Sequence, residues 1–169
     1  QKDIAERLAP PGEVVLQKDM TQASATAAVA STPPAAKVEL SEGSEHIIKM
    51  LNSGVGGSMI FEPAVIKVSK GDTIHFKATD MSHNSASMAG MIPEGASSWA
   101  GQLSQDISIQ LDSEGVYVYQ CDPHAMMAMI GVVQVGEAVN MSQIKEEASN
   151  KKSTFMMNSD RLETYLSQL

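Results

Sequence analysis

Residues 121–129 read Cys-Asp-Pro-His-Ala-Met-Met-Ala-Met, placing a thiol, an imidazole and several thioethers in one short stretch of a chain with a single cysteine. A lone thiol cannot close an intramolecular disulfide, so Cys121 is either a small buried residue or a reactive or metal-bound thiol. One strand-like run, Gly-Val-Tyr-Val-Tyr-Gln, ends at Cys121, and another, Met-Ile-Gly-Val-Val-Gln-Val, begins at Met129, which makes the stretch a loop anchored at both ends. Period-2 alternation puts Tyr117, Tyr119 and Cys121 on one face and lets the thiol point into the tip of a β structure. Pro123 stiffens the turn that brings His124 round to the same point. Met129 closes the approach from a third side. A fourth donor must come from elsewhere, and His83, in the irregular stretch Asp-Met-Ser-His-Asn-Ser, is the candidate. Two imidazoles, one thiolate and one weak axial thioether describe a blue-copper electron-transfer centre. Met126 and Met127 are alternatives for the axial place, and Met129 is preferred because it ends the loop at the strand anchor. Cu(II) favours nitrogen and Cu(I) favours sulfur, so a mixed set held in one geometry has little to reorganise when an electron moves. Zinc would tolerate the cysteine and histidines but gains little from a thioether and offers no redox change.

The elements that must hold these residues are strands. From Glu45 to Val135, short runs rich in Val, Ile, Tyr and Phe (EHIIKMLN, AVIKVS, DTIHFKAT, DISIQL, GVYVYQC, MIGVVQV) alternate with breaks such as GVGG, KGD, IPEGASS and DSEG. This is the pattern of an all-β sandwich over 43–137. Asp112-x-x-Gly115-x-Tyr117 reads as a tyrosine corner, a device of Greek-key sandwiches. After Gly136 the period becomes helical. Met141, Ile144 and Ala148 share one face, and Leu162, Tyr165, Leu166 and Leu169 another, with Asn158 or Ser159 placed to cap the second helix. Residues 138–169 are therefore a two-helix tail packed on the sandwich. Residues 1–42, rich in Ala, Ser, Thr and Pro, form an N-terminal extension or linker with too few large apolar side chains for a core.

Composition narrows the function. The formal charge of −8 would repel nucleic-acid phosphates. No apolar run approaches the ~20 residues of a membrane-spanning helix, so no membrane insertion is expected. The chain opens at Gln1 and looks like a mature exported protein from which a signal peptide is already gone. Apart from His83 and His124, only His46 and His75 remain, too few for a reductase or oxidase with its own open metal position. The expectation is a carrier, not an enzyme. His46 and His75 read as ordinary strand residues without a sulfur or carboxylate neighbour arranged for a site. Trp99 reads as packing.

From residue 45 onward the chain resembles the pseudoazurins, bacterial periplasmic proteins of the cupredoxin family. The likeness runs through MLNSGVGGSMIFEPAVIKV, KGD, SHN, GMIPEGA and CDPHAMMAM to the two-helix tail. It implies a mainly β, Greek-key cupredoxin sandwich with two C-terminal helices and one copper ion cycling between Cu(II) and Cu(I) on His83, Cys121, His124 and Met129. It also implies that Asn84 ties the two ligand loops together, that Asn52 donates a backbone hydrogen bond to the Cys121 sulfur, and that Met59 lies against the His83 ring. His124 would reach the surface through an apolar patch of Met59, Met81, Met126 and Pro123, with Asp122 and Met127 at the same docking face.

The chain departs from the family in charge. Pseudoazurins surround that exposed histidine with lysines that dock acidic partners, notably a copper-containing nitrite reductase. Between Lys77 and Lys145 this chain has no Lys or Arg but carries Asp80, Glu94, Asp106, Asp112, Glu114, Asp122 and Glu137. Met81 and Gln120 stand where lysines are expected. A basic or uncharged redox partner, such as a c-type cytochrome, fits that surface better than an acidic copper reductase. Met59, Met81, Met88, Met91, Met126, Met127 and Met129 all fall near the copper end, which raises the alternative of a carrier that delivers Cu(I) through a Met-rich surface. Residues 1–42 are available for tethering or self-association.

Overall fold

The alternation that marks the strands also decides which face each one buries. The computed structural model describes residues 36–169. Eight strands run in order: β1 (Glu45–Gly54), β2 (Gly57–Glu62), β3 (Val65–Val68), β4 (Thr73–Lys77), β5 (Ala86–Ser87), β6 (Ile107–Gln110), β7 (Gly115–Gln120) and β8 (Ile130–Val135). Two helices follow, α1 (Met141–Lys152) and α2 (Arg161–Leu166). The strands form two four-stranded sheets, ordered β2-β1-β4-β6 and β3-β8-β7-β5. Each sheet has one parallel pair, β1 with β4 and β3 with β8, and the remaining pairs are antiparallel. This is the cupredoxin sandwich that the sequence implies.

Strand β1 alternates exposed and buried residues, sending His46, Ile48 and Met50 inward. Strands β7 and β8 are buried almost throughout, because they lie between two apolar layers. Tyr117, Tyr119, Val133 and Val135 meet Ile48, Met50, Phe61, Ile74 and Phe76 of the facing sheet. Val116, Val118, Ile130 and Val132 pack outward against Ile144 and Ala148 of α1 and Leu162 and Leu166 of α2. The helices thus cover the sheet that carries the Cys121 loop. Tyr117 Oη donates to the Ser113 carbonyl at 2.7 Å, which is the expected corner. Tyr119 lies directly across from Gly131, and its ring occupies the space where a Cβ on that glycine would stand.

Two strands escape the sequence pattern, and the expected cap of the second helix is corrected. Strand β2 was missed because GVGG looks like a break; the break is the tight turn of a β1–β2 hairpin in which Gly54 pairs with Gly57. Strand β5 has two residues and leaves no periodic signal. Helix α2 starts after Asp160, and neither Asn158 nor Ser159 caps it. Asn158 instead adopts a left-handed conformation, φ 55°, and donates from Nδ2 to the Met127 carbonyl at 3.2 Å.

Of the extension expected over 1–42, residues 1–35 lie outside the described residues. The following segment rests on the end of the helical tail and on β3. Val38 N–H donates to the Gln168 carbonyl at 2.8 Å, Lys37 Nζ to the Leu169 carbonyl at 2.9 Å, and Ser41 N–H to the Lys67 carbonyl at 2.8 Å.

Candidate metal centre

The loop after β7 is built as a closed ring of main chain. Cys121 N–H donates to the Met129 carbonyl at 2.9 Å, His124 N–H to the Cys121 carbonyl at 3.1 Å, and Met129 N–H to the His124 carbonyl at 3.3 Å. Between these anchors the chain makes a 3₁₀ turn over Asp122–Met127 with Pro123 in its first turn, where a missing N–H is harmless. Ala128, at φ 58°, reverses the direction so that Met129 enters β8 buried beside Cys121. The second loop follows β4. Ser82, at φ 72°, turns the chain inward, and His83 is completely buried.

Asn84 joins the two loops. Its Oδ1 accepts the Asp122 N–H at 2.7 Å, and its Nδ2 donates to Asp122 Oδ2 at 2.9 Å and to the Gly101 carbonyl at 3.0 Å. Behind the site, His83 Nε2 donates to Asn52 Oδ1 at 2.8 Å, which leaves His83 Nδ1 as a free lone pair facing the loop.

Three donor atoms then converge. His83 Nδ1 and His124 Nδ1 are 3.2 Å apart, and the Cys121 sulfur lies 3.3 Å from His124 Nδ1 and 3.7 Å from His83 Nδ1. The point equidistant from all three is about 2 Å from each, which matches a transition-metal bond to nitrogen and is slightly short for one to sulfur. Two nitrogens and a sulfur this close, with little solvent, form a pocket of electron pairs that a soft or borderline cation fills. Burial pushes the His83 pKa down, and the charge of a protonated His124 would push it further, against a smaller opposing effect of Asp80. Burial pushes the Cys121 thiol up, aided weakly by Asp122 and opposed by the backbone N–H groups of Asn84 and His124. His83 is therefore poised as a neutral ligand, while Cys121 gives up its proton when a cation takes its place.

The expected site residues fall as follows. His83, Cys121 and Met129 are fully buried, and His124 is half-exposed at the surface. Met81 and Met126 are 68% and 63% exposed, Asp122 and Pro123 are exposed, and Met127 and Met59 are half-buried. One expectation is corrected. Asn52 does not reach the Cys121 sulfur through its backbone, because its N–H donates to Asp80 Oδ2 at 2.7 Å and its side chain is what serves the site. The backbone N–H groups that act to lower the Cys121 pKa belong to Asn84 and His124, not to Asn52. The reading of His46 and His75 as lacking a carboxylate neighbour is also corrected. His46 Nε2 pairs with buried Asp72 at 2.8 Å, and His75 Nε2 with Glu45 at 2.5 Å. Both belong to β-sheet positions on β1 and β4, whose neighbouring strand ends supply the acids. Trp99 packs on the core as expected, stacked on Phe76 with ring centroids 6.1 Å apart.

Arg161 was missed altogether. Its guanidinium donates to the carbonyls of Met59 at 3.0 Å, Ala128 at 3.1 Å and Ser58 at 3.2 Å. It thus fastens α2 to β2 and to the residue just before Met129. The available signal was scarcity: Arg161 is one of two arginines in the sequence.

Known proteins share this arrangement of sheets and loops. Residues 48–136 match the family described as copper binding proteins, plastocyanin/azurin family. A pseudoazurin of Methylorubrum extorquens is 39% identical over 127 residues, covering 75% of this chain and 82% of that protein. A pseudoazurin of Paracoccus pantotrophus is 36% identical over 116 residues, covering 68% of this chain and 80% of its own length. The native pseudoazurin structure from Hyphomicrobium denitrificans superposes with a TM-score of 0.67 at 37% identity, over 74% of this chain and 98% of that one. The pseudoazurin structure from Methylobacterium extorquens gives 0.64 at 37% identity, over 73% and 98%. The chain belongs to the plastocyanin/azurin family of copper-binding proteins and, within it, to the pseudoazurins, and so is a copper-binding electron-transfer protein.

Proposed function

We propose that this chain is a one-electron shuttle whose single copper ion would be held by His83, Cys121, His124 and Met129. The observation that carries this reading is the triangle of His83 Nδ1, His124 Nδ1 and the Cys121 sulfur, with sides of 3.2, 3.3 and 3.7 Å, inside a family that binds copper. Copper, when bound, supplies the Cu(II)/Cu(I) couple, and the chain supplies a geometry that neither state has to rebuild. Rigidity comes from Asn84, which bolts the loops together, and from Asn52, which fixes the tautomer and tilt of His83. His124 is the ligand nearest solvent, so its ring is the path between the buried centre and a docked partner. The chain performs no bond-making chemistry.

Docking falls to the apolar rim around His124, formed by Met81, Met126, Met127 and Pro123, with Asp122 at its edge. Because that rim carries acids and no Lys or Arg between 78 and 144, the favoured partner is basic or uncharged, such as a c-type cytochrome, over an acidic copper reductase. Membership among the pseudoazurins supports an exported, periplasmic location. Residues 1–42 act as an extension ahead of a redox body formed by the sandwich of 43–137 and the helical tail of 138–169.

Two experiments test this. Loading with one equivalent of Cu(II) should give an intense visible band and a narrow copper hyperfine splitting that Cys121→Ser abolishes; a colourless complex, or a band that survives the substitution, refutes the ligand set. For the partner, Met81→Lys is the informative change, since Asp122 is bonded to Asn84 and its reversal would disturb the loop itself. Transfer to a basic cytochrome should slow in Met81→Lys, and the parent rate should fall with added salt. A parent rate that rises with salt would point to an acidic partner.

A further inference from the structure

The copper end carries a second group of sulfur donors that the proposed centre does not use. Two Met-Met pairs, Met126–Met127 and Met156–Met157, are thirty residues apart in the chain. The fold lays them side by side. The N–H groups of Met156 and Met157 both donate to the Met126 carbonyl, at 2.7 and 3.3 Å, and Asn158 Nδ2 donates to the Met127 carbonyl at 3.2 Å. Buried Phe155 anchors the second pair from beneath.

Three of these thioethers stand in solvent: Met126 is 63% exposed, Met156 75% and Met157 50%. Water-facing methionine of this kind contributes little to the core. Leucine would give an equally sticky surface with a stiffer side chain. Methionine adds a polarisable sulfur on an unbranched, flexible stem, and thioethers select Cu(I) over harder divalent ions. The Met126 carbonyl accepts from both Met156 and Met157, so the three backbones are held next to one another and three long, flexible thioether side chains start from one small patch.

We propose that Met126, Met156 and Met157 form a second site, specific for Cu(I), lying two residues along the chain from His124. The ion binds there by ligation alone. No electron moves, and since thioethers carry no proton at ordinary pH, none is released. That separates it from the His83–Cys121–His124 centre, where metal displaces a proton from the thiol. The site does not depend on the electron-transfer reading, and the first equivalent of copper reports on that reading separately.

The test is an anaerobic titration of the protein, already holding one equivalent of Cu(I), with further Cu(I) competed against bicinchoninate. It is followed by methyl-13C methionine NMR. A second equivalent should bind, move the methyl signals of Met126, Met156 and Met157, and leave that of Met129 in place. Its affinity, corrected for the chelator, should be unchanged between pH 6 and pH 8. Met156→Leu/Met157→Leu should take up only the first equivalent and, once oxidised, keep the full visible band. Uptake of one equivalent by the parent, a second equivalent that survives in the double variant, or movement of the same signals by Zn(II) would each overturn the proposal.

Discussion

Replacing Asn84 by alanine tests the claim that one buried amide holds the two metal-binding loops in register. Three hydrogen bonds disappear: the one accepted from Asp122 N–H at 2.7 Å and those donated to Asp122 Oδ2 at 2.9 Å and the Gly101 carbonyl at 3.0 Å. A neutral bond contributes roughly 1 kcal/mol net and a bond to a carboxylate about 1.5–3. Asp122 is exposed, which places its term at the low end, so the loss should be about 3 kcal/mol. For a protein of this size that is roughly 6–12 °C in Tm. Urea unfolding of the metal-free parent and variant measures it directly. Asn84→Asp is the companion variant. It keeps an acceptor for the Asp122 N–H but sets a carboxylate against that of Asp122 and against the Gly101 carbonyl, so at neutral pH it should be no more stable than the alanine. The visible spectrum of the copper-loaded alanine variant should broaden as His83 and Cys121 lose their fixed spacing. A variant within about 1 kcal/mol of the parent, with an unchanged spectrum, would show that the loops hold their register without the amide.

Tyr119→Phe should stabilise the protein by about 1 kcal/mol or more, because the hydroxyl is buried and has no hydrogen-bond partner among the described residues; a lowered urea midpoint would contradict this. Arg161→Met should destabilise by about 3 kcal/mol through three carbonyls left without their donor, and Arg161→Lys should recover less than half, since one ammonium cannot span Met59, Ala128 and Ser58. Asp72 governs part of the acid limb. Burial acts to raise its pKa, but the His46 hydrogen bond, the Ser69 N–H and the His46 charge outweigh it and hold the carboxyl below its ordinary range. Its stabilisation is therefore complete above the unfolded value of about 4 and is lost as pH falls through the lower folded value. The gap in stability between the parent and Asp72→Asn should narrow from pH 5 to pH 3, and a gap that stays constant would exclude Asp72 as a contributor.

The legible part of this protein is the part where chemistry and chain order coincide. Cys121 and His124 sit three residues apart in a loop between two well-marked strands, so their convergence could be read from spacing alone. His83 required only the observation that irregular chain follows β4. What escaped depends on partners brought from afar. The hairpin strand β2 was hidden by glycines and by Met59, whose positive φ of 52° interrupts the alternation that marks a strand. The job of Asn52 was misassigned between backbone and side chain, because sequence indicates that a residue lies near the site but not which of its groups faces it. His46 and His75 looked isolated because their acids, Asp72 and Glu45, lie 26 and 30 residues away. Arg161 acts on carbonyls more than a hundred residues earlier, and carbonyls carry no identity in a sequence.

The short segment before β1 has a practical consequence for wiring the molecule. Ser41 is tied to Lys67, which pairs with Gln134 toward the end of β8, whereas Met129 and Cys121 lie at the strand's other end. Five residues of extended chain separate Ile130 from Val135, or roughly 17 Å. Ser41 and the Lys67–Gln134 pair therefore mark the end of the sheet away from His124. Anchored to an electrode by that end, the protein would present its docking rim to solution and exchange electrons with soluble partners unhindered. Anchored through Met81 or Met126, it would instead couple His124 to the electrode and hide it from every partner.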